Sequence, residues 1–227
     1  MKFELVKKVP IVEIDGKRCF VDTGYPGAVM PVNSGVQKSF GIPGLHVAGV
    51  QSLRRYTKFD YPNCEIATSD EPIPLVGGEV VPLVSRGGWL VNMTVGGVAG
   101  MHYIDTGAAY SYVHNLSAQF QAAEEVEDCG FSGKSFNAPM RRVPCEFAGH
   151  QFEILCGDAK DNPEYVPPEG VIGYDFFNNF TVVVDRIAGK IVKGELHDKS
   201  HVLFDVDDEG EYVCRIEEAI DFDHLLE

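Results

Sequence analysis

One short motif that occurs twice constrains the fold of this chain more than any other feature. Asp-Thr-Gly begins at Asp22, after Phe20-Val21, and again at Asp105, after Tyr103-Ile104. The two copies lie 83 residues apart, and each follows an apolar segment with a glycine-containing turn before it. A supersecondary unit that is repeated twice predicts a duplicated domain, because a solenoid would need at least three units.

The segments before the two motifs predict β-hairpins. In the first copy, residues 9–21 alternate between apolar and polar side chains and are interrupted by Asp15-Gly16, which is typical of a two-residue hairpin turn. In the second copy, the segments 89–95 and 101–104 flank Gly96-Gly97. Each hairpin is expected to end at the aspartate of its motif.

Most of the remaining chain also predicts short strands. Paired strands are expected within 143–155, 181–192 and 202–216, each around a glycine-containing turn. Residues 115–127 predict a short helix instead, because their apolar side chains have roughly helical spacing. Few helices and many short strands predict a mainly β protein.

Together with Val171-Ile172-Gly173, the two motifs resemble the retropepsin and pepsin families of aspartic peptidases. In those families each of two lobes provides one Asp-Thr-Gly loop, and the two aspartates face each other across a pseudo-twofold axis. A pair of apolar residues followed by glycine packs beneath the loop. The resemblance is strongest over about residues 89–195, where residues 174–185 are similar to the closing helix and strand of the family.

The resemblance implies a mainly β, acid-protease-like fold with two related lobes, each a closed β-barrel, and a cleft between them. We expect the N-terminal lobe at 1–88, the C-terminal lobe at 89–196, and an acidic tail at 197–227 that forms a β-hairpin. The N-terminal lobe departs from the family pattern in two places. Its only candidate for the apolar-apolar-glycine element is Leu75-Val76-Gly77, and Tyr25 follows its motif where the family usually has serine or alanine.

The resemblance also implies that Asp22 and Asp105 form a catalytic dyad. Two adjacent carboxyl groups cannot both ionise at low cost, so they would share one proton and activate a water for attack on a peptide carbonyl. This chemistry needs no metal and no cofactor. The family assigns supporting roles to the neighbouring residues: Thr23, Gly24, Thr106 and Gly107 would hold the dyad, and Val171, Ile172 and Gly173 would pack beneath the second loop.

A flap that covers bound substrate would require a glycine-rich hairpin soon after each aspartate. Residues 41–49 and 129–133 are the candidates for it. An ordinary connection between a helix and a strand explains either segment equally well, so both interpretations stay open.

Composition and charge exclude several classes of partner. A formal net charge of −15 would repel the phosphates of nucleic acids and the surfaces of anionic membranes. No stretch is long and apolar enough to span a bilayer, and the first residues lack the pattern of a signal peptide, so we expect a cytoplasmic protein. His197 and His201 have the spacing of metal ligands, but the residues between them are typical of a turn, so no metal site is predicted.

Three functional hypotheses follow. The first is a monomeric aspartic endopeptidase that hydrolyses extended peptides or proteins through Asp22 and Asp105 of one chain. The second is a homodimeric peptidase in which Asp105 of each chain forms the dyad. The third is a non-catalytic module on the same fold that binds peptides without cleaving them. Mutation of Asp22 separates the first two hypotheses, because only the first requires this residue.

Overall fold

The computed structural model describes residues 1–74, 79–85, 88–185, 190–193, 201–206 and 212–217, and in these ranges the protein is mainly β. Its strands, in chain order, are β1 (Glu4–Val6), β2 (Val9–Ile14), β3 (Lys17–Val21), β4 (Val29–Pro31), β5 (His46–Ala48), β6 (Tyr56–Asp60), β7 (Glu65–Ser69), β8 (Glu79–Ser85), β9 (Trp89–Val95), β10 (Val98–Ile104), β11 (Ser111–Val113), β12 (Ala122–Cys129), β13 (Ser135–Phe147), β14 (His150–Asp158), β15 (Val171–Ile172), β16 (Val182–Asp185), β17 (Lys190–Lys193), β18 (His201–Val206) and β19 (Tyr212–Glu217). Its helices are α1 (Ser34–Phe40) and α2 (Tyr174–Asn179), and short 3-10 helices form at Val50–Ser52 and Ala159–Asp161. The predicted mainly β class is confirmed.

The described residues form two compact units. The first comprises 1–52, 85–147 and 151–176, and the second comprises the described parts of 53–84, 148–150 and 177–227. Both Asp-Thr-Gly motifs belong to the first unit. The predicted lobe boundaries after residues 88 and 196 stay predictions.

The first copy of the repeat forms a five-stranded sheet with the order β1-β2-β3-β5-β4. Strands β2 and β3 are joined by the predicted turn, in which Asp15 and Gly16 both have positive φ angles, of 50° and 73°. Such a turn matches the right-handed twist of the paired strands, which is why aspartate and glycine are favoured there. The hairpin that leads to the first motif is thus confirmed.

Helix α1 follows β4 and is fixed at both ends. The Asn33 side chain caps its N-terminus by accepting a hydrogen bond from the Val36 N–H (3.0 Å), and Gly41 ends it in a left-handed conformation (φ 67°). Val36 packs with Val47 of β5 in one buried cluster. Strand β5 then lies parallel to β3. Residues 41–49 therefore connect a helix to a strand, which is one of the two interpretations left open for this segment, and do not form a flap hairpin.

The second copy forms a larger sheet with the order β12-β13-β14-β11-β15-β10-β9. Strand β13 spans 13 residues, which gives it room to pair with β12, β14 and β9 along different parts of its length. The turn between β9 and β10 again has two residues with positive φ, Gly96 and Gly97. The predicted hairpins before the second motif and within 143–155 are confirmed as β9–β10 and β13–β14.

The predicted helix over 115–127 is wrong. The chain leaves β11 through a turn, and β12 begins at Ala122 and pairs with β13 in antiparallel register. Glu125 and Glu127 are exposed on either side of buried Val126, which is the period of a strand. Pairing with a long neighbouring strand outweighs the weak preference of a short, isolated segment for a helix.

The second unit contains a sheet with the order β8-β17-β16-β6-β7. Phe59 and Tyr61 both pack against the ring of Phe177, with ring centroids 5.7 and 5.5 Å away. The buried carboxylate of Asp185 accepts a hydrogen bond from Arg55 Nε (2.9 Å), which compensates a charge that would otherwise be costly to bury. The strand pair predicted within 181–192 is confirmed as β16 and β17.

The described residues test the predictions about the acidic tail and the cellular location only in part. Strand β18 pairs antiparallel with β19, as expected for a hairpin in the acidic tail, but the turn between them lies outside the described residues. Within the described ranges, no helix is long and apolar enough to cross a membrane. The cytoplasmic location stays a prediction.

Candidate active site

The two Asp-Thr-Gly loops leave the ends of equivalent strands. After β3, the backbone N–H of Asp22 donates a hydrogen bond to the carbonyl oxygen of Ala48 (3.0 Å). After β10, the N–H of Asp105 donates to the carbonyl oxygen of Ile172 (2.9 Å). The strands that supply these acceptors, β5 and β15, each run parallel to the strand that carries the motif. The two copies therefore place their aspartates by the same backbone arrangement.

A glycine follows the acceptor strand in both copies and lies directly against the loop. A Cβ on Gly49 would overlap the carbonyl oxygens of Tyr25 and Gly27, and a Cβ on Gly173 would overlap those of Ala108 and Tyr110. The loop passes too close for any side chain, so each position requires glycine.

This equivalence corrects the assignment of the packing element in the first copy. Val47-Ala48-Gly49 occupies the place that Val171-Ile172-Gly173 occupies in the second copy. The sequence-based candidate, Leu75-Val76-Gly77, lies outside the described residues. The sequence does not readily reveal Val47-Ala48-Gly49, because this triplet lies much nearer to its motif than its equivalent does, within a segment that also resembles a flap. The alternation of its apolar residues before a glycine was the available signal.

We expect Gly173→Ala and Gly49→Ala each to lower the free energy of unfolding by about 3 kcal/mol, because each new methyl group would overlap backbone atoms that cannot rotate away. Gly100→Ala is the matched control, since a Cβ at this position in β10 would lie 3.8 Å from its nearest neighbour, His102 Nε2. Its free energy of unfolding should change by less than about 1 kcal/mol. Urea unfolding measures these values, and similar results for all three variants would contradict the close packing against the loops.

The two loops are bound to each other through their threonine side chains. The Thr23 hydroxyl donates to the carbonyl oxygen of Ile104 (3.1 Å) and accepts from the Thr106 N–H (3.0 Å). The Thr106 hydroxyl donates to the carbonyl oxygen of Val21 (2.8 Å) and accepts from the Thr23 N–H (3.1 Å). Both threonines are fully buried. These reciprocal bonds satisfy backbone groups of both loops and hold the two aspartates at a fixed separation.

Asp22 and Asp105 lie together where the loops meet, and their carboxyl groups hydrogen-bond with each other. Asp105 Oδ1 accepts from the N–H groups of Gly24 (3.1 Å) and Gly107 (2.8 Å), and Asp22 Oδ1 accepts from the Tyr25 N–H (2.8 Å). A Cβ on Gly24 would lie 2.5 Å from Asp105 Oδ2, and one on Gly107 would lie 2.6 Å from Asp22 Cγ. Only glycine leaves room for the two carboxyl groups.

Burial raises the pKa of both carboxyl groups. Asp22 is 8% exposed, and burial followed by the neighbouring Asp105 raises its pKa well above the usual range. Burial also raises the pKa of Asp105, although the hydrogen bond from the Gly107 N–H opposes this rise. The pair therefore keeps a shared proton at a pH at which isolated carboxyl groups have lost theirs.

Neither of the residues that follow the two motifs donates a hydroxyl hydrogen bond to the dyad. The Tyr25 hydroxyl donates to Met30 Sδ (2.7 Å), and the side chain of Ala108 has no donor. The ring of Tyr25 stacks on Phe131, with ring centroids 6.4 Å apart. Apart from the hydrogen bond from Asp22 that lowers the pKa of Asp105, the hydrogen bonds that lower the pKa of either carboxyl group come from backbone N–H groups.

A cleft of about 470 Å³ opens beside the dyad and is lined by both copies of the repeat. Its apolar lining comes from Val9, Phe20, Val36 and Phe40 of the first copy and from Tyr110, Phe131, Phe136 and Val166 of the second copy. Charged residues also border it: Lys7, Lys8, Glu127, Asp128 and Glu164. Its size, apolar walls and convergent polar groups are typical of a ligand-binding site.

The hairpin β12–β13 reaches the cleft with its turn. Residues 129–133, the second candidate for a flap, include this turn, and Cys129, Gly130 and Phe131 line the cleft together with the aspartates. In the first copy, helix α1 takes the place of such a hairpin between the motif and β5. The hairpin turn that borders this cleft therefore belongs to the second copy.

The structure brings the residues predicted from sequence into one site. They are Asp22, Thr23, Gly24, Asp105, Thr106, Gly107, Val171, Ile172 and Gly173. No protein-family model matches the chain, and no curated protein matches it significantly. The internal repeat and the geometry of the dyad therefore carry the functional argument.

Proposed function

We propose that this protein is an aspartic endopeptidase whose dyad, Asp22 and Asp105, lies within one chain. The observation that carries the proposal is the meeting of two Asp-Thr-Gly loops with hydrogen-bonded carboxyl groups. Buried acids are costly to retain, and carboxyl groups with raised pKa values beside a cleft are typical of catalytic sites. The finer fold that we propose is the two-lobed acid-protease fold with a closed β-barrel in each lobe.

The dyad would act on a water bound between the two carboxyl groups. We place the shared proton on Asp22, whose pKa burial and the neighbouring Asp105 raise well above the usual range, and the negative charge on Asp105, which accepts the N–H bonds of Gly24 and Gly107. The carboxylate takes a proton from the water, whose oxygen attacks the peptide carbonyl carbon while Asp22 protonates the carbonyl oxygen. The intermediate then returns a proton to Asp22 and receives one on nitrogen from Asp105 as the C–N bond breaks. The dyad ends with one proton, as it began.

Extended peptide or protein segments are the proposed substrates. Strand β12 is the end strand of its sheet, and Glu127, Asp128 and Cys129 of this strand border the cleft. No strand of the described residues pairs with the outer edge of β12, so a peptide can add there as a further strand. The proximity of Asp22 and Asp105 in one chain favours the monomeric hypothesis over a dyad formed by two copies of Asp105.

Incubation with a mixture of unstructured peptides, followed by mass spectrometry of new termini, tests this function. We expect cleavage that a hydroxyl-containing transition-state mimic blocks and that a chelator leaves unchanged, because the carboxyl groups alone activate the water. Peptide binding without any cleavage would instead favour the non-catalytic module. Inhibition by a chelator that added zinc reverses would contradict the proposed chemistry.

We expect a bell-shaped pH dependence of hydrolysis with its maximum between about pH 5 and pH 7. Activity requires one proton on the pair, and burial with mutual repulsion raises the pKa at which that proton is lost, so the alkaline limb moves to higher pH. Ala108→Ser adds a hydroxyl donor next to the second motif, which favours the ionised form. Both limbs should then move to lower pH by about half a unit.

Ala109→Ser is the matched control for this shift, because it adds the same hydroxyl group one residue further from the motif. Its pH profile should stay close to that of the wild type. A maximum below about pH 4 in the wild type, or equal profiles for Ala108→Ser and the wild type, would show that another group sets the pKa values of the dyad.

A further inference from the structure

The turn of the β12–β13 hairpin contacts the first copy of the repeat. The side-chain amide of Asn33 donates a hydrogen bond to the carbonyl oxygen of Phe131 (2.9 Å), and the Phe131 ring stacks on Tyr25. Tyr25 donates its backbone N–H to Asp22, so the turn lies on a residue that contacts the dyad directly. The hairpin therefore starts in the second copy, borders the same cleft as the dyad and contacts the first copy with its turn.

Two glycines allow the backbones to approach closely at this contact. A Cβ on Gly35 of α1 would lie 2.8 Å from the carbonyl oxygen of Gly133, and a Cβ on Gly133 would lie 2.6 Å from Val36 N. Gly133 also has a positive φ of 81°, which side chains other than glycine rarely adopt. A side chain at either position would push the turn away from the helix.

The hairpin does not need this contact for its own fold. Within the turn, the Gly133 N–H donates to the carbonyl oxygen of Gly130 (2.9 Å), and the Gly130 N–H donates to that of Lys134 (3.3 Å). On the side of the second copy, Ser132 hydrogen-bonds with Glu164 through its hydroxyl group. The bond from Asn33 is thus additional to those that form and support the hairpin.

We propose that Asn33 is a positioning residue that latches the β12–β13 hairpin as a lid over the dyad. The proposal rests on the proposed function, in which a peptide lies between the lid and the dyad. Asn33 makes these two contacts with different atoms. Its Oδ1 accepts the hydrogen bond that caps α1, and its Nδ2 donates the hydrogen bond to the turn of the hairpin. One hydrogen bond between neutral groups is weak enough to break for substrate entry and to form again at closure.

Two variants break the latch and preserve the helix. Serine caps helices as well as asparagine does but is too short to reach Phe131, so Asn33→Ser removes the donor alone. Gly35→Ala places a methyl group against Gly133, although alanine is favoured over glycine within a helix. Asn137→Ala is the matched control, because Asn137 Nδ2 makes a bond of similar length (3.0 Å) to an acceptor inside the same hairpin.

Amide hydrogen exchange followed by mass spectrometry reports the latch without any need for activity. In both latch variants, exchange within 130–134 should become about fivefold faster, which is the effect of losing one hydrogen bond, and exchange in α1 should change less than about twofold. With a cleavable peptide, KM should rise about fivefold and kcat should change less than about twofold, because the latch does not touch the reacting atoms. Asn137→Ala should leave both the exchange within 130–134 and KM near their wild-type values.

Unchanged exchange within 130–134 in both latch variants would overturn the proposal. Equally faster exchange in α1 and in the lid would also overturn it, since Asn33 would then act only as a helix cap. If the wild type cleaves no peptide but amide exchange within 130–134 is faster in the variants, the proposed peptidase function is contradicted and the role of Asn33 as a latch is supported. If the wild type cleaves peptides and amide exchange within 130–134 is unchanged in the variants, only the role of Asn33 as a latch is contradicted.

Discussion

Asp22→Asn and Asp105→Asn should each reduce the rate of peptide hydrolysis at least about a thousandfold, because an amide can neither take a proton from the water nor share one with the remaining acid. Initial rates on a peptide that the wild type cleaves measure this loss. Asp158→Asn is the matched control, since Asp158 belongs to the same compact unit and accepts hydrogen bonds from Lys160 N (3.1 Å) and Nζ (2.7 Å) but is not among the residues that line the cleft. Its activity should stay within about tenfold of the wild type.

The two variants also separate the hypotheses about the dyad. Loss of activity in both agrees with a dyad within one chain. Full activity in Asp22→Asn together with loss in Asp105→Asn would favour the homodimer, in which Asp105 of two chains meets. More than about a tenth of the wild-type rate in both variants would remove the catalytic assignment altogether.

Stability measurements show whether such a loss of activity reflects chemistry or unfolding. Because the pKa of Asp22 is raised in the folded protein, the folded chain binds this proton more tightly than the unfolded chain does. The wild type therefore loses stability as the pH rises from the usual carboxyl range through the raised pKa, and Asp22→Asn avoids this loss. Urea unfolding at neutral pH should find the variant at least as stable as the wild type, and its advantage should shrink at acid pH.

Thr106→Val should lower the free energy of unfolding by about 4 kcal/mol, because it leaves two buried backbone groups without a partner at about 1–3 kcal/mol each. These groups are the carbonyl of Val21 and the N–H of Thr23, and valine fills nearly the same volume as threonine. Thr23→Val should have a similar effect, since the bonds are reciprocal. Chemical denaturation followed by circular dichroism measures both values.

Two controls identify the hydroxyl group as the cause. Thr106→Ser keeps the hydroxyl and should cost less than about 1.5 kcal/mol. Thr57→Val removes a buried hydroxyl that donates only to the carbonyl of Arg54 (3.3 Å), in the second compact unit, and should cost about 1 kcal/mol. If Thr106→Val is no more destabilising than Thr57→Val, the threonines do not hold the loops together.

The hairpins were predictable because their determinants are local. A two-residue turn with positive φ angles requires residues such as Asp15-Gly16 or Gly96-Gly97, and the flanking apolar residues select the buried face. The helix over 115–127 was predicted wrongly for the opposite reason. Strand β12 exists through its pairing with β13, a partner that lies beyond the turn at 130–134, and local spacing does not report such a partner.

The packing element beneath the first loop was also missed, because local sequence patterns do not report contacts that form only in the folded chain. The pairing of β5 with β3 and the close approach of Gly49 to the loop identify Val47-Ala48-Gly49, and both are contacts between segments distant in sequence. The only candidate that the sequence offers further downstream is Leu75-Val76-Gly77, which begins 53 residues after Asp22, whereas Val171 lies 66 residues after Asp105. The two copies share the arrangement around the motif but differ in the length of chain that connects its parts.

Local patterns were enough to predict the mainly β class, the repeat and the residues proposed to carry the chemistry, because turn residues, apolar alternation and the Asp-Thr-Gly motif are each contained in a few consecutive positions. The tertiary structure determines which of these parts come into contact. It brings Asp22 next to Asp105, pairs Thr23 with Thr106, and places the turn of the second copy's hairpin beside the cleft. Burial, hydrogen bonding across the loops and the raised pKa values all arise from atoms that only folding brings together, so no local pattern could specify them.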